Sequence, residues 1–326
     1  MVTVQVVAGA QPHGAVFGAR SGWPLSGRIS VLARRALGAL GLLALGGCKI
    51  ELLHPQGSIG QQEKMLILIA LGLMLLVVIP VIGLTLFFAW RYRASNPKAN
   101  YAPKWSHSTA IEVVVWTIPC LIVAFLAVLI WGTTHTLDPY RPLPSKAEPV
   151  KVEVVALDWK WLFIYPDYGV ASVNRLEIPA GRPVDFKLTS QSMMNSFFIP
   201  ELGSQIYAMA GMQTQLHLIA DHPGTYPGLS SSFSGPGFSD MHFQAVTADE
   251  RGFEQWVQQA KASSQTLDKA AYKELVKPSS KDPERVYARV APGLFDEIVD
   301  QYMSSPADRG APMKAMAMSH GATAAE

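Results

Sequence analysis

Two long runs without a charged side chain constrain this chain more than any other feature. They cover residues 65–90 and 113–131. About 20 consecutive apolar residues suffice for a helix to cross the hydrocarbon layer of a membrane. Charged residues make up 16% of the 326-residue chain, well below the quarter that is usual in soluble domains. We therefore expect a transmembrane hairpin over residues 64–135, with spans at about 65–90 and 111–131.

The segment between the two runs sets the orientation of this hairpin. It carries four cations and no acidic residue from 91 to 107, namely Arg91, Arg93, Lys98 and Lys104. Connections rich in lysine and arginine stay on the cytoplasmic side of a membrane. The pattern predicts that the chain before the hairpin and everything after residue 135 face the periplasm of a bacterial inner membrane.

The amino-terminal segment has the pattern of a bacterial secretory signal. Four arginines and no acid precede a short apolar run at residues 36–47, and Cys48 follows two glycines. This pattern predicts a lipoprotein signal peptide over 1–47, lipidation of Cys48 and a lipid-anchored linker over 48–63. A buried thiol in a short helix is the alternative. Since Cys120 is the one other cysteine, a disulfide scaffold is excluded.

The chain after the hairpin changes its pattern twice. A proline-broken linker at 136–148 leads into short alternating segments over 149–250, which are typical of a β-sandwich or barrel. His217 alternates with Leu216 and Leu218, so we expect its side chain to point outward. Residues 251–303 follow a helical pattern, and the small, polar tail at 304–326 is predicted to be disordered.

One late loop, residues 229–241 (LSSSFSGPGFSDM), carries the most specific signal. Together with the hairpin, the β-rich domain and the segments LDWKW (157–161) and SMMNSFFIP (192–200), it resembles subunit II of the haem–copper respiratory oxidases. The resemblance implies a periplasmic cupredoxin-like domain. In the cytochrome c oxidase branch, that domain holds two copper ions on an early histidine and a late Cys-x-Glu-x-Cys-x-x-x-His-x-x-Met motif.

The sequence departs from this motif at nearly every ligand. In motif order, the copper-site positions are Asn195, Ser230, Ser232, Ser234, Phe238 and Met241. Methionine alone matches. A serine hydroxyl stays protonated at neutral pH and cannot supply the bridging thiolates that this kind of copper site needs. We therefore expect no metal in this chain and a loop that keeps the shape of the copper cradle.

This loss of ligands is typical of the quinol oxidase branch of the family. The resemblance then implies a non-catalytic, cofactor-free subunit of a proton-pumping ubiquinol oxidase, with the haems and copper in subunit I. The implied partners are subunit I, the smaller subunits III and IV, membrane lipid and, through the complex, ubiquinol. The net charge of +2 gives no reason to expect nucleic acid.

Glu112, at the start of the second span, has two interpretations. Thr109 and Glu112 have the spacing of a capping box, in which both side chains bond the first free backbone groups of a helix. In the family, the matching glutamate lies at the mouth of a proton-uptake channel of subunit I, so Glu112 is also a candidate for proton entry. Both interpretations can hold together.

Two other functions remain open from the sequence. One is subunit II of a cytochrome c oxidase that has lost its copper, which an acidic docking face for cytochrome c would favour. The other is a free-standing periplasmic membrane lipoprotein, which would purify without a haem protein.

Overall fold

The computed structural model describes residues 50–100, 102 and 104–302. The predicted signal peptide, Cys48 and the tail at 304–326 lie outside the described residues. Two helices come first, α1 (Ser58–Arg91) and α2 (Thr109–Thr136), and both are long and apolar enough to cross a membrane. None of the residues in the most apolar stretch of either helix is buried by the rest of the chain.

A β-sandwich follows the hairpin. Its strands are β1 (Val150–Leu157), β2 (Lys160–Tyr165), β3 (Val170–Val173), β4 (Arg175–Pro179), β5 (Val184–Ser190), β6 (Asn195–Phe198), β7 (Ile206–Ala208), β8 (Thr214–Leu218), β9 (Gly224–Ser230) and β10 (His242–Ala248). One sheet has the order β3-β2-β1-β5-β8 and the other β4-β10-β9-β6-β7. The hairpin and this sandwich together confirm the predicted fold class.

Aromatic side chains fill the space between the two sheets. The rings of Phe197 and Phe243 stack with centroids 5.1 Å apart, and Trp161 meets Phe197 edge-on at 5.4 Å. All three residues are at most 2% exposed. Offset and edge-on contacts at these distances are the favoured geometries of aromatic pairs. The alternation of Val150, Val152 and Val154 with charged residues places these valines in the same core.

The segment predicted to be helical, 251–303, contains both helices and strands. Its helices are α3 (Glu250–Lys261), α4 (Lys269–Leu275) and α5 (Leu294–Asp300), and its strands are β11 (Thr266–Leu267), β12 (Arg285–Tyr287) and β13 (Arg289–Val290). Strand β12 pairs with β3 and becomes the sixth strand of the first sheet. This pairing satisfies backbone groups of β3 that would otherwise form an open edge.

The same segment covers the outer face of the first sheet. Val155, Leu157, Leu162 and Ile164 lie on that face and form a second apolar cluster with residues from α4, α5 and β12. This cover buries the outer face of β2 as well as its inner face, which explains why every residue of β2 is buried.

A buried lysine fastens the segment to the sheet. Lys160 is 2% exposed, and its Nζ donates to the carbonyl of Lys277 at 2.9 Å and to Oγ of Ser279 at 2.5 Å. Its Nζ also lies 3.5 Å from a carboxylate oxygen of Asp282. Burial lowers the pKa of Lys160, and the charge of Asp282 acts in the opposite direction.

The amino-terminal end of the hairpin is joined to the sandwich by its backbone. The amide of Gln56 donates to the carbonyl of Glu201 at 2.6 Å, and the amide of Gly60 donates to the carbonyl of Leu202 at 3.1 Å. A Cβ atom at Gly57 would lie 2.3 Å from the carbonyl oxygen of Ile219, so only glycine permits this approach.

Candidate functional site

Strands β6 and β9 bring the first two copper-site positions together. Their antiparallel pairing sets Phe197 opposite Ser230. As a result, Oγ of Ser230 donates to Oδ1 of Asn195 at 3.2 Å and also contacts the carbonyl oxygen of Ser232 at 3.3 Å. Asn195 and Ser230 are 2% and 3% exposed. The side chains at these two positions therefore satisfy each other, which a buried pair of polar groups requires.

The loop after β9 supplies the other positions. Oγ of Ser234 lies 4.0 Å from the sulfur of Met241, and both residues are buried. The ring of Phe238, at the late histidine position, packs edge-on against Phe233 with centroids 5.6 Å apart. Four positions of the copper motif thus meet inside the domain, while Ser232 and Phe238 are half-buried at its edge.

One pair of hydroxyls and a glutamine extend this polar cluster. Oγ of Ser196 lies 2.6 Å from Oγ of Ser231, and both hydroxyls contact the side-chain oxygen of Gln205. Sequence reasoning missed Ser196 and Gln205. Their hydrogen bonds hold the loop at 230–234 against β6 and β7 without any metal.

The indole ring of Trp159 packs against the loop at residues 234–237. It lies in the two-residue turn between β1 and β2 with a φ of 63°, a left-handed conformation that is strained for a bulky residue. Its Nε1 donates to the carbonyl of Ser234 at 3.1 Å. A Cβ atom at Gly237 would lie 2.3 Å from the indole ring, so the glycine lets the ring cover the Gly-Pro-Gly turn.

The donor set of this cradle does not fit a binuclear copper site. Amide, hydroxyl and phenyl groups replace imidazole and thiolate, and the thioether of Met241 is a weak ligand by itself. Within the described ranges, no group of three or more His, Cys, Asp or Glu side chains could hold a metal ion. The polar side chains of the cradle bond to one another and to its backbone, and the cradle lacks the two thiolates that would bridge copper ions.

Glu112 lies at the other end of the molecule, in the first turn of α2. Its carboxylate accepts from Nδ1 of His107 at 2.6 Å, and Nε2 of His107 lies 3.1 Å from Oγ1 of Thr109. The side chains of His107 and Glu112 are 63% and 50% exposed. The position of His107 five residues before Glu112 was the sequence signal that could have predicted this pair.

The predicted capping box is wrong. Ser108 occupies the N-cap position, Thr109 is already helical, and no side chain caps the first amide groups of α2. Thr109 and Glu112 instead bond to opposite nitrogens of His107. Because the carboxylate does not bond the backbone, a capping role no longer accounts for Glu112.

The outward direction predicted for His217 does not place its side chain in solvent. Its side chain leaves the sandwich core but is only 8% exposed, and its Nδ1 lies 2.6 Å from a carboxylate oxygen of Asp185 on the neighbouring strand β5. The linker after α2 runs past this side of the sheet, and with β8 it forms a cavity of about 500 Å³ that His217 borders.

Comparison with known proteins shows which families this chain resembles. The sequence matches the family described as cytochrome c oxidase subunit II, periplasmic domain, over residues 169–247, and the family described as COX aromatic rich motif over residues 261–305. A protein of Pseudomonas putida named cytochrome bo(3) ubiquinol oxidase subunit 2 is 55% identical over 263 residues, which cover 81% of this chain and 84% of that protein.

The chain belongs to the ubiquinol oxidase subunit 2 family. Two further members agree with this assignment. A cytochrome bo(3) ubiquinol oxidase subunit 2 of Pseudomonas aeruginosa is 54% identical, covering 80% of this chain and 78% of that protein. A ubiquinol oxidase subunit 2 of Acetobacter aceti is 54% identical, covering 83% of this chain and 90% of that protein. The predicted family is confirmed, and the aromatic-rich match corresponds to the segment that covers the first sheet.

Proposed function

We propose that this chain supports and covers the catalytic subunit of a proton-pumping ubiquinol oxidase and carries no electrons itself. The complex would oxidise ubiquinol in the membrane and reduce oxygen to water. One observation carries this proposal: the side chains at the copper-ligand positions bond to one another, as Ser230 does to Asn195 at 3.2 Å. Electrons from a membrane quinol have no need of a relay in the periplasm.

The partners follow from this role. Subunit I would hold the haems and the copper of the oxygen site, and subunits III and IV would complete the complex. The names of the relatives favour this function over a copper-less cytochrome c oxidase subunit, because those relatives are ubiquinol oxidase subunits. They also favour it over a free-standing lipoprotein, and the uncovered helices α1 and α2 suit a partner within the membrane.

The cradle hypothesis is tested by adding the missing ligands. The isolated domain, residues 149–302, should fold and contain well under one copper ion per chain by elemental analysis. The variant with Asn195→His, Ser230→Cys, Ser232→Glu, Ser234→Cys and Phe238→His should bind copper and become coloured. The matched control keeps Ser234 and therefore lacks one bridging thiolate. Two copper ions in the unmodified domain would overturn the proposal, and a colourless five-residue variant would disprove the retained cradle shape.

Glu112 is proposed to collect protons at the cytoplasmic surface and pass them to subunit I. Its support is an exposed carboxylate at the helix end next to the positive loop, paired with His107 and not with the backbone. Glu112→Gln keeps the shape but cannot titrate, so we expect oxygen reduction per haem to fall several-fold. Glu112→Asp, the control, should keep most of the rate. If the glutamine variant turns over at the original rate per haem, Glu112 has no role in proton entry.

The amino terminus completes the proposal. Cleavage before Cys48 and lipidation of its thiol would add a second anchor on the periplasmic side of the inner membrane. The support is the basic and apolar pattern of residues 20–48. Mass spectrometry of the mature amino terminus decides this point, since an unmodified residue before position 48 is incompatible with it.

A further inference from the structure

The cytoplasmic connection between α1 and α2 is rich in cations. Arg91, Arg93, Lys98 and Lys104 are the cations, and the sequence has no Asp or Glu from residue 64 to residue 111. Among the ion pairs of the described residues, none includes any of the four. Cations held near one another without a carboxylate favour an anion from outside the chain.

Hydrogen bonds close this connection into a compact turn. The side-chain amide of Asn96 donates to the carbonyl of Arg91 at 2.6 Å and its oxygen accepts from the amide of Lys98 at 3.2 Å. The guanidinium of Arg91 then donates to the carbonyl of Lys98 at 3.3 Å. Two cationic residues are thereby held at the neck of one turn. A guanidinium has five N–H donors, so Arg91 keeps most of its donors for another acceptor.

An aromatic surface lies directly next to these cations. Along the last turns of α1, the ring of Phe87 lies 5.7 Å from Phe88 and 6.4 Å from Trp90, and Phe88 lies 6.1 Å from Tyr92. The guanidinium of Arg93 is 5.6 Å from the ring centre of Trp90. All four rings are about half exposed or more. Trp and Tyr side chains, here Trp90 and Tyr92, are enriched at the level of the lipid headgroups, where a phosphate and an acyl chain meet.

We propose that this turn binds one anionic phospholipid of the cytoplasmic leaflet, with its phosphodiester on Arg91 and Lys98 and an acyl chain along Phe87 and Phe88. The orientation of a hairpin is set by the excess of Lys and Arg on its cytoplasmic side. It requires neither the closed turn nor the aromatic surface beside it. A free phosphate would use the cations alone, and a membrane lipid uses both features. Polybasic segments next to a membrane bind anionic lipid in the same way.

The test uses the purified oxidase complex in detergent, stripped of bound lipid. Short-chain phosphatidylglycerol is titrated in, and native mass spectrometry counts the lipid bound per complex. Removal of both charges in Arg91→Gln/Lys98→Gln should weaken binding about thirtyfold. Arg91→Lys/Lys98→Arg keeps both charges and should stay within about a factor of two. Arg141→Gln, which removes an exposed cation after the other end of α2, is the matched control and should leave binding unchanged.

Three results would overturn the proposal. The first is unchanged lipid binding in the doubly neutralised variant. The second is displacement of the lipid by inorganic phosphate at equal concentration, which would assign the turn to phosphate alone. The third is loss of the haem subunit from that variant, which would make the turn a protein interface. Protease accessibility of residues 149–302 verifies the orientation of the hairpin in the membrane. The single variant Arg91→Gln keeps three of the four cations and should weaken lipid binding about fivefold.

Discussion

The hairpin exposes its apolar side chains, whereas the periplasmic domain buries them. Val128 and Trp131 on α2 are 75% and 74% exposed, whereas Trp161 and Phe197 in the sandwich are fully buried. The domain buries its apolar surface against itself, first between the two sheets and again under the segment that follows α3. The hairpin leaves the same kind of surface uncovered along both helices.

This difference shows which solvent each region is built for. In water, burial of apolar surface drives folding, and the sandwich needs no partner for that. In a membrane, lipid is as apolar as leucine, so two helices gain little by packing their apolar faces together. Their stability comes from internal backbone hydrogen bonds, and specific contacts are left for lipid and for other subunits. The domain should therefore be stable by itself, while the hairpin depends on its surroundings.

The largest effect should follow a change in the aromatic core. Phe197→Ala removes a ring that contacts Trp161, Phe186 and Phe243, and should lower the free energy of unfolding by about 3–5 kcal/mol. Urea unfolding of residues 149–302 and of the full chain in detergent should give the same loss. Phe233→Ala, at a 78% exposed ring, is the control and should change it by less than about 0.5 kcal/mol. A much smaller loss in the full chain would mean that the hairpin supports the domain.

A smaller effect should follow removal of the buried lysine. Lys160→Met leaves the carbonyl of Lys277 and the hydroxyl of Ser279 without their donor, and should cost about 1–3 kcal/mol. Asp282 keeps its pairing with Arg285, which limits the loss. Lys187→Met, at an exposed lysine of the same sheet, serves as the control. If limited proteolysis and urea unfolding cannot distinguish Lys160→Met from the unmodified domain, the lysine does not fasten the segment.

The smallest effect concerns pH. Burial raises the pKa of Glu153 to about 7, and the nearby charges of Asp296 and Asp167 act in the same direction. Between the unfolded pKa of about 4.5 and this value, the folded state binds more protons, so stability should fall as pH rises through that range. Solvent screening limits the change to on the order of 1 kcal/mol. Glu153→Gln should remove this part of the slope, and an identical pH profile in both proteins would contradict the assignment.

Much of the fold could be predicted from one-dimensional patterns. The uncharged runs predict α1 and α2 because a membrane helix depends on composition and length alone. The alternation at residues 150–154 predicts β1 because one of its faces is polar there. The second half of β1 could not be interpreted in this way. Val155, Ala156 and Leu157 are all buried, because a segment more than 100 residues later covers the outer face.

The sequence predicts which residues form the site, but it does not predict which of their side chains contact one another. The copper-ligand positions within 230–241 follow from the resemblance, because the copper motif of the family can be aligned with this segment residue by residue. Which groups satisfy one another inside the cradle depends on the pairing of β6 with β9, and no local pattern reveals it. The capping box failed for a similar reason, since His107 competes with the backbone for the carboxylate of Glu112. Spacing gives the possible bonds of a side chain, and its surroundings decide between them.

The cover on the first sheet has a consequence for the order of folding during export. A chain is made and translocated from its amino end, and domains acquire structure as they emerge. Strand β3 (Val170–Val173) therefore emerges more than 100 residues before its partner β12 (Arg285–Tyr287). The outer apolar face of the first sheet stays exposed to water until residues 267–299 have also been translocated. Contacts so distant in sequence form slowly, and an open sheet edge can pair with other chains meanwhile. During this interval, a periplasmic chaperone would be able to bind the exposed outer face of the first sheet.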